Sequence, residues 1–364
     1  MSEVSGLDRR WLDAAARLAR VAVGASPGHS AAAALIVDEE LQLVFGRGVT
    51  GRAVPFAEPF AVDEARGSAR GRTLYCTLEP TSQWGRTPPS TEAIIKGGLR
   101  RVVVGAPHPD RMQAGQGAAR LRAAGIDVVI AGHEPSVALY EAERLSFKSG
   151  RPFVTGKLIV SRDGMVGLPT VKNAVTGSAQ TQRYVQMLRA THDAVAIGAR
   201  AAMVDDPKLF VRLKGLDSRI YQRIVVAGTR ELDTGLNLIA GVSGYPTAIL
   251  AVAGRQFDVP ESVGVITVDG RNERPDLRKA MVPFTGRGIV TLLVEGGARL
   301  VEAFIAAELV DRFHLITTDT VVGRGGIPAT MLGGLDGRLR GAGFVEVDRR
   351  ALGPDKLRTF EREL

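Results

Sequence analysis

Three stretches of the chain place chemically useful residue types at suggestive spacings. In Leu292-Leu293-Val294-Glu295-Gly296-Gly297-Ala298-Arg299-Leu300, an apolar strand pattern runs into a glycine pair and then into a helical pattern. Backbone N–H groups bared at such a turn suit a pyrophosphate. A second set comprises Leu188-Arg189-Ala190, Asp193, Val204-Asp205-Asp206-Pro207 and Leu209-Phe210-Val211-Arg212. Guanidinium forks suit a phosphomonoester, and carboxylates accept from sugar hydroxyls. In Gly156-Lys157-Leu158-Ile159-Val160-Ser161-Arg162-Asp163-Gly164, a lysine lies in a strand pattern ahead of a turn. None of this chemistry needs a covalent nucleophile or a metal. Each group also has a plainer reading, a snorkelling lysine or an ordinary salt bridge.

The elements that must position these groups follow from periodicity. Leu7–Val23 has helical spacing, and strands are expected at 31–37, 42–46, 73–78, 101–105 and 127–131. Helices are expected at 91–97 and 117–124, and a connecting helix at 137–147. Ser149-Gly150-Arg151-Pro152 has the composition of a linker, which divides 364 residues into domains of residues 1–148 and 149–364. Beyond it, strands are expected at 153–161, 193–197, 223–227, 247–251 and 290–294, with helices at 181–190 and 298–307; a strand at 311–317 closes the pattern. Alternating strands and helices define an α/β protein with mostly parallel sheets covered on both faces.

Composition narrows the function. A single cysteine, Cys76, excludes a disulfide framework and any CxxC metal site. The net charge of +8 comes from 47 basic residues, of which 39 are arginine, scattered without a block or stripe, so nucleic-acid binding is not expected. No apolar run approaches the about 18 residues of a membrane span, and MSEVSGLDRR lacks a signal core, so a cytoplasmic location is expected.

The segment Leu78-Glu79-Pro80-Thr81-Ser82-Gln83-Trp84-Gly85-Arg86-Thr87-Pro88-Pro89-Ser90 resembles the signature of the bifunctional riboflavin-biosynthesis deaminase–reductase family of RibD type, and the other three stretches resemble its reductase half. The resemblance implies an N-terminal cytidine-deaminase-like domain and a C-terminal dihydrofolate-reductase-like reductase domain. In the family, a His and two Cys hold zinc beside a proton-shuttling Glu; here the corresponding residues are Phe56, Thr81, Ser90 and Glu58. Phenylalanine cannot bind zinc and neutral hydroxyls replace thiolates poorly, so no zinc and no deaminase activity are expected. His29, His108 and His133 stand alone without ligand spacing. The domain is then expected to serve as folding support or an oligomer contact, the alternative being a converted pocket in which Gly85-Arg86-Thr87 contacts a nucleotide-like ligand.

For the reductase half, the resemblance implies NADPH and a ribosylamino-pyrimidine phosphate. Lys157, Asp206 and Glu295 become the candidate catalytic residues; Arg189, Asp206, Leu209 and Arg212 the substrate contacts; Ser161, Thr176, Gly296 and Gly297 the cofactor contacts. A homodimer through the reductase domain is expected. Arg200-Ala201 replaces a glycine–threonine pair, and Ala174 an aromatic, beside the cofactor positions. A paralogous reductase for another pterin or pyrimidine, or a non-enzymatic nucleotide-binding regulator, would share these features.

Overall fold

The structure is a computed structural model that describes residues 4–25, 30–51, 56–85, 87–240, 244–329 and 335–363. His29 and Arg86, singled out above, lie outside the described residues. Two compact units divide the chain, Met1–Ser149 and Gly150–Leu364.

The N-terminal unit is built on a five-stranded sheet in the order Leu43–Val49, Ala33–Asp38, Thr73–Leu78, Arg101–Ala106, Asp127–Ile130. The first two pairings are antiparallel and the others parallel, so this sheet is mixed. The helix Gly6–Ala22 starts at a capping box, in which Ser5 and Asp8 satisfy each other's backbone N–H groups. It lays Trp11, Leu12 and Ala15 on one face of the sheet, against Leu35, Tyr75 and Val103. The opposite face is covered by Ala57, Ala61, Ile94, Ala118 and Leu121. The expected helix at 137–147 is two helices, Glu134–Leu139 and Glu141–Ser149, separated at Tyr140, whose hydroxyl is drawn inward to Thr77 at 2.7 Å.

The helix Ala57–Glu64 was not anticipated, because Pro59 breaks the periodic pattern; in the first turn, however, proline costs nothing. Its seat is a glycine floor. A Cβ on Gly46 would lie 2.1 Å from the Ala61 carbonyl oxygen, and one on Gly48 1.8 Å from that of Ala57. Only glycine lets this helix, which carries Glu58, touch the strand Leu43–Val49.

The C-terminal unit holds a nine-stranded sheet. Its order is Val263–Val268, Thr247–Val252, Gln222–Gly228, Ala194–Gly198, Thr291–Glu295, Phe153–Val160, Arg312–Thr317, Asp355–Arg362, Phe344–Leu352. All pairings are parallel except the last two. The strand Arg312–Thr317 therefore does not close the pattern. The final hairpin extends the sheet, and its Phe344–Leu352 strand is so exposed that its alternation carries little hydrophobic signal. One sheet face buries Val154, Leu158, Leu292 and Val294 against Phe284 and Phe304. On the other, Val195, Ile197 and Leu293 pack with Leu188 and Tyr221.

Two carboxylates, half-buried Asp193 and buried Asp355, fix this frame. Asp193 accepts from the Val290 and Thr291 N–H groups at 3.0 and 2.8 Å and so pins the start of the strand Thr291–Glu295 to its neighbour. Asp355, in the final hairpin, accepts from Ser178 N–H and the Thr181 hydroxyl, both at 2.6 Å. It thereby anchors the start of the helix Ala179–Ala190, whose N-cap is Ser178.

The glycine floor is directly testable. Gly48→Ala drives a methyl group into backbone and should destabilise the N-terminal unit by about 3 kcal/mol. Denaturant unfolding followed by Trp11 and Trp84 fluorescence checks this; an unchanged midpoint would show that the helix can shift at no cost.

Candidate active site

Lys157 and Glu295 face each other across neighbouring parallel strands, in direct register. Thr155, Lys157 and Ile159 share one side of their strand by its two-residue period. Lys157 Nζ lies 3.0 Å from Glu295 Oε2. From the helix Ala179–Ala190, Arg189 reaches the same carboxylate with Nε at 2.5 Å from Oε1 and Nη2 at 3.2 Å from Oε2. Glu295 is only 2% exposed and Lys157 7%. Burial pushes the Glu295 carboxyl up, but Arg189 and then Lys157 outweigh it and bring it down to about 2. One anion thus serves two cations, and the cluster keeps a net positive charge.

This cluster lines a cavity of about 300 Å³. Gly296 and Gly297 continue its wall with φ of +80° and +68°, backbone that side chains rarely adopt. A Cβ on Gly297 would meet nothing within 4 Å, so conformation rather than crowding by the protein demands glycine there, and the turn is open to a ligand. The residues present therefore fit a dinucleotide: bare backbone N–H groups lead into the helix Ala298–Ala306. Apolar walls come from Val166, Leu168, Val171, Val175 and Leu300.

The residues expected at the site are only partly gathered there. Lys157, Arg189, Leu209, Glu295, Gly296, Gly297 and Thr176 line the cavity, as do Ala174, Arg200 and Ala201. Arg189, expected at a substrate phosphate, has its fork occupied by Glu295. Asp206, expected at the sugar hydroxyls, accepts instead from Asn237 N–H at 2.8 Å and Nδ2 at 2.7 Å, and the cavity is lined by Asp205. Arg212 is exposed and outside the lining, its N–H donating to Gln186 at 2.9 Å. Ser161 is likewise outside; its hydroxyl donates to Asp163 at 2.6 Å and shapes the turn before Met165.

Sequence reasoning missed Asp205, the apolar segment from Val166 to Val175, and the support beneath Leu209. Leu209 has φ of +50°, and its carbonyl accepts from the Tyr221 hydroxyl, while buried Arg223 donates to the neighbouring Lys208 carbonyl at 3.1 Å. Nothing in the spacing of Tyr221 and Arg223 signals this, since both act across the fold.

In the N-terminal unit, Glu58 is fully buried and burial raises its carboxyl to about 7, against hydrogen bonds that include Ser90. The Ser90 hydroxyl also accepts from Thr81 N–H at 2.9 Å, and Thr81 Oγ1 from Gln83 N–H at 3.3 Å. Phe56 is the residue preceding the helix that carries Glu58. These three side chains offer a ring and two hydroxyls, so the site does not fit zinc. Cys76 is buried with its thiol near the Val103 carbonyl, and His133 is held by Ser136 and Asp13. Neither completes a ligand set.

The cation–carboxylate cluster yields a stability prediction. Glu295→Gln leaves Lys157 and Arg189 buried without their anion, which should cost about 3–5 kcal/mol. Chemical denaturation of the intact protein reads this; a loss below about 1 kcal/mol would place the cluster in the class of weak, solvated pairs.

Comparison with known proteins places these features in a family. Residues 152–352 match the RibD C-terminal domain. The chain is 30% identical over 347 residues to riboflavin biosynthesis protein RibD of Escherichia coli K12, covering 90% of this chain and 92% of that one. It is 28% identical to the same protein of Aquifex aeolicus over 88% of this chain and 89% of that one. Among solved structures, Acinetobacter baumannii RibD superposes with a TM-score of 0.85 at 26% identity, covering 98% of this chain and 99% of that one. A Thermotoga maritima deaminase/reductase shares the fold, with a TM-score of 0.80 at 21% identity, over 98% of this chain and 99% of its own. With the two-unit architecture, the reductase-type sheet and the cleft at its strand ends all accounted for, the chain belongs to the RibD family of riboflavin-biosynthesis proteins.

Proposed function

We propose that the C-terminal unit reduces the ribose of 5-amino-6-(5-phosphoribosylamino)uracil to its ribityl chain with NADPH, and that the N-terminal unit no longer deaminates. The observation that carries this reading is the buried Lys157–Glu295–Arg189 cluster in a cleft that continues into the Gly296-Gly297 turn.

When bound, NADPH supplies a hydride for the sugar carbon C1. The protein's part is to bind, orient and exclude water. Glu295 takes one of the three Lys157 donors and fixes the position of its ammonium. The remaining donors serve the sugar oxygen that gains a proton as the ring opens. Arg189 holds Glu295 from the far side and keeps it ionised, so it steadies the lysine rather than gripping phosphate. Asp205, which lines the cleft, is the carboxylate for the sugar hydroxyls. Gly296 and Gly297 hold the pyrophosphate, with Thr176 on the same wall. Positioning of this kind supplies up to about 7–11 kcal/mol of a barrier.

In the N-terminal unit, the Ser90 hydroxyl joins Thr81 to Glu58 where a metal site would need thiolates. The unit is left as a folded support. No described helix is long and apolar enough to cross a membrane. The reading further takes the protein as a cytoplasmic homodimer, associated through the reductase unit, that acts on a small phosphorylated molecule and not on nucleic acid.

Two experiments test this. The gene should restore riboflavin-independent growth to a strain lacking only the pyrimidine reductase, and Lys157→Met should abolish the rescue. Absence of growth with soluble protein present would refute the reductase assignment. Elemental analysis of purified protein should find no stoichiometric zinc. Phe56→His alone should leave that unchanged, because one ligand does not hold the metal, whereas joint Phe56→His, Thr81→Cys and Ser90→Cys supplies three. One zinc per native chain would refute the loss.

A further inference from the structure

The strands Ala194–Gly198 and Thr291–Glu295 are hydrogen-bonded neighbours in parallel register, with Val294 opposite Ala196. Each runs at its carboxyl end into a helix, Ala199–Asp205 and Ala298–Ala306. Arg200 and Arg299 are the second residues of these two helices, so the sheet brings equivalent positions to one crevice. The two turns touch: a Cβ on Gly296 would lie 3.4 Å from the Ala201 Cβ, and one on Gly198 3.8 Å from that of Leu300. Both arginines line the same cavity and both are exposed.

The charges of the cavity are otherwise accounted for. Lys157 and Arg189 are both paired with Glu295. Asp205 accepts from Asn173 N–H at 3.1 Å. Among the cavity's charged residues, the side chains of Arg200 and Arg299 alone make no hydrogen bond or ion pair within the described residues. Two guanidinium groups beside a turn fitted to a pyrophosphate are suited to a further phosphate dianion close by, each supplying a charged fork. On a dinucleotide, such a group is the phosphate on the adenosine ribose. In open α/β sheets this crevice at the strand carboxyl ends is where dinucleotides lie, and arginine accommodates the 2′-phosphate there.

We propose that Arg200 and Arg299 form the subsite that selects NADPH over NADH. The proposal rests on the reductase reading above and deepens it by naming the residues that would choose the cofactor.

Calorimetric titration of the intact protein with NADPH, NADH, adenosine 2′,5′-bisphosphate and ADP tests it. Arg200→Gln and Arg299→Gln should each weaken NADPH and the bisphosphate by about 10-fold or more, on the scale of one charged hydrogen bond. NADH and ADP should hold nearly constant, which also reports that the variants are folded. Arg200→Lys and Arg299→Lys should recover part of the loss, since charge returns without the fork. Equal weakening of NADPH and NADH, or no change in either, would overturn the proposal. So would loss of affinity for the phosphorylated substrate with NADPH unaffected, which would assign the arginines to that phosphate instead. If the native protein binds neither dinucleotide, the reductase reading itself falls, an outcome distinct from a lost preference.

Discussion

One buried carboxylate organises the reductase unit. Glu295 sits at the end of a central strand, held on one side by Lys157 from the adjacent strand and on the other by Arg189 from the helix above. An isolated ion at this depth would cost several kcal/mol, and the arrangement is tolerable only because two cations answer it with good geometry. The consequence is rigidity where chemistry needs it. A lysine on a four-carbon stem is ordinarily mobile, and here its ammonium is fixed by strand register and by a carboxylate that stays charged. The helix that brings Arg189 depends in turn on Asp355, in the last hairpin of the chain, so the end of the sequence sets the geometry of its middle.

Each of the two units keeps a frame of its own. In the N-terminal unit, the sheet has two covered faces and the Gly46-Gly48 seat brings the helix Ala57–Glu64 onto its strand. The hydroxyls of Ser90 and Thr81 are absorbed into local hydrogen bonds, and Glu58 is left in an apolar surround that favours its protonated form up to about pH 7. The C-terminal unit retains an open, charged cleft at the carboxyl ends of its strands, the position where an α/β sheet offers its turns to a ligand.

Much of this was legible in the sequence, and the failures have physical causes. Strands such as Arg101–Ala106 and Thr291–Glu295 are buried apolar runs bounded by polar turns, and nothing competes with that signal. The helix Ala57–Glu64 hid behind Pro59, and the final hairpin behind its exposure. The lining of the cleft was legible where it rests on local backbone, as at Gly296-Gly297, or on a residue in a strand, as at Lys157. It was hidden where a side chain's partners are distant in sequence. Arg189 looked like a free guanidinium because Glu295 lies over a hundred residues away. The carboxylate of Asp206 looked available because Asn237, which takes both its oxygens, belongs to no motif.

The central claim is that this cleft delivers a hydride to a sugar carbon. The most direct measurement is a turnover of 5-amino-6-(5-phosphoribosylamino)uracil by the purified protein with NADPH deuterated at nicotinamide C4, followed by mass spectrometry and NMR of the product. With the label on the transferred face, the account predicts one deuterium per molecule of product, located at C1 of the ribityl chain. Ribityl product carrying its new hydrogen from solvent, or NADPH left unconsumed by folded protein, would contradict it.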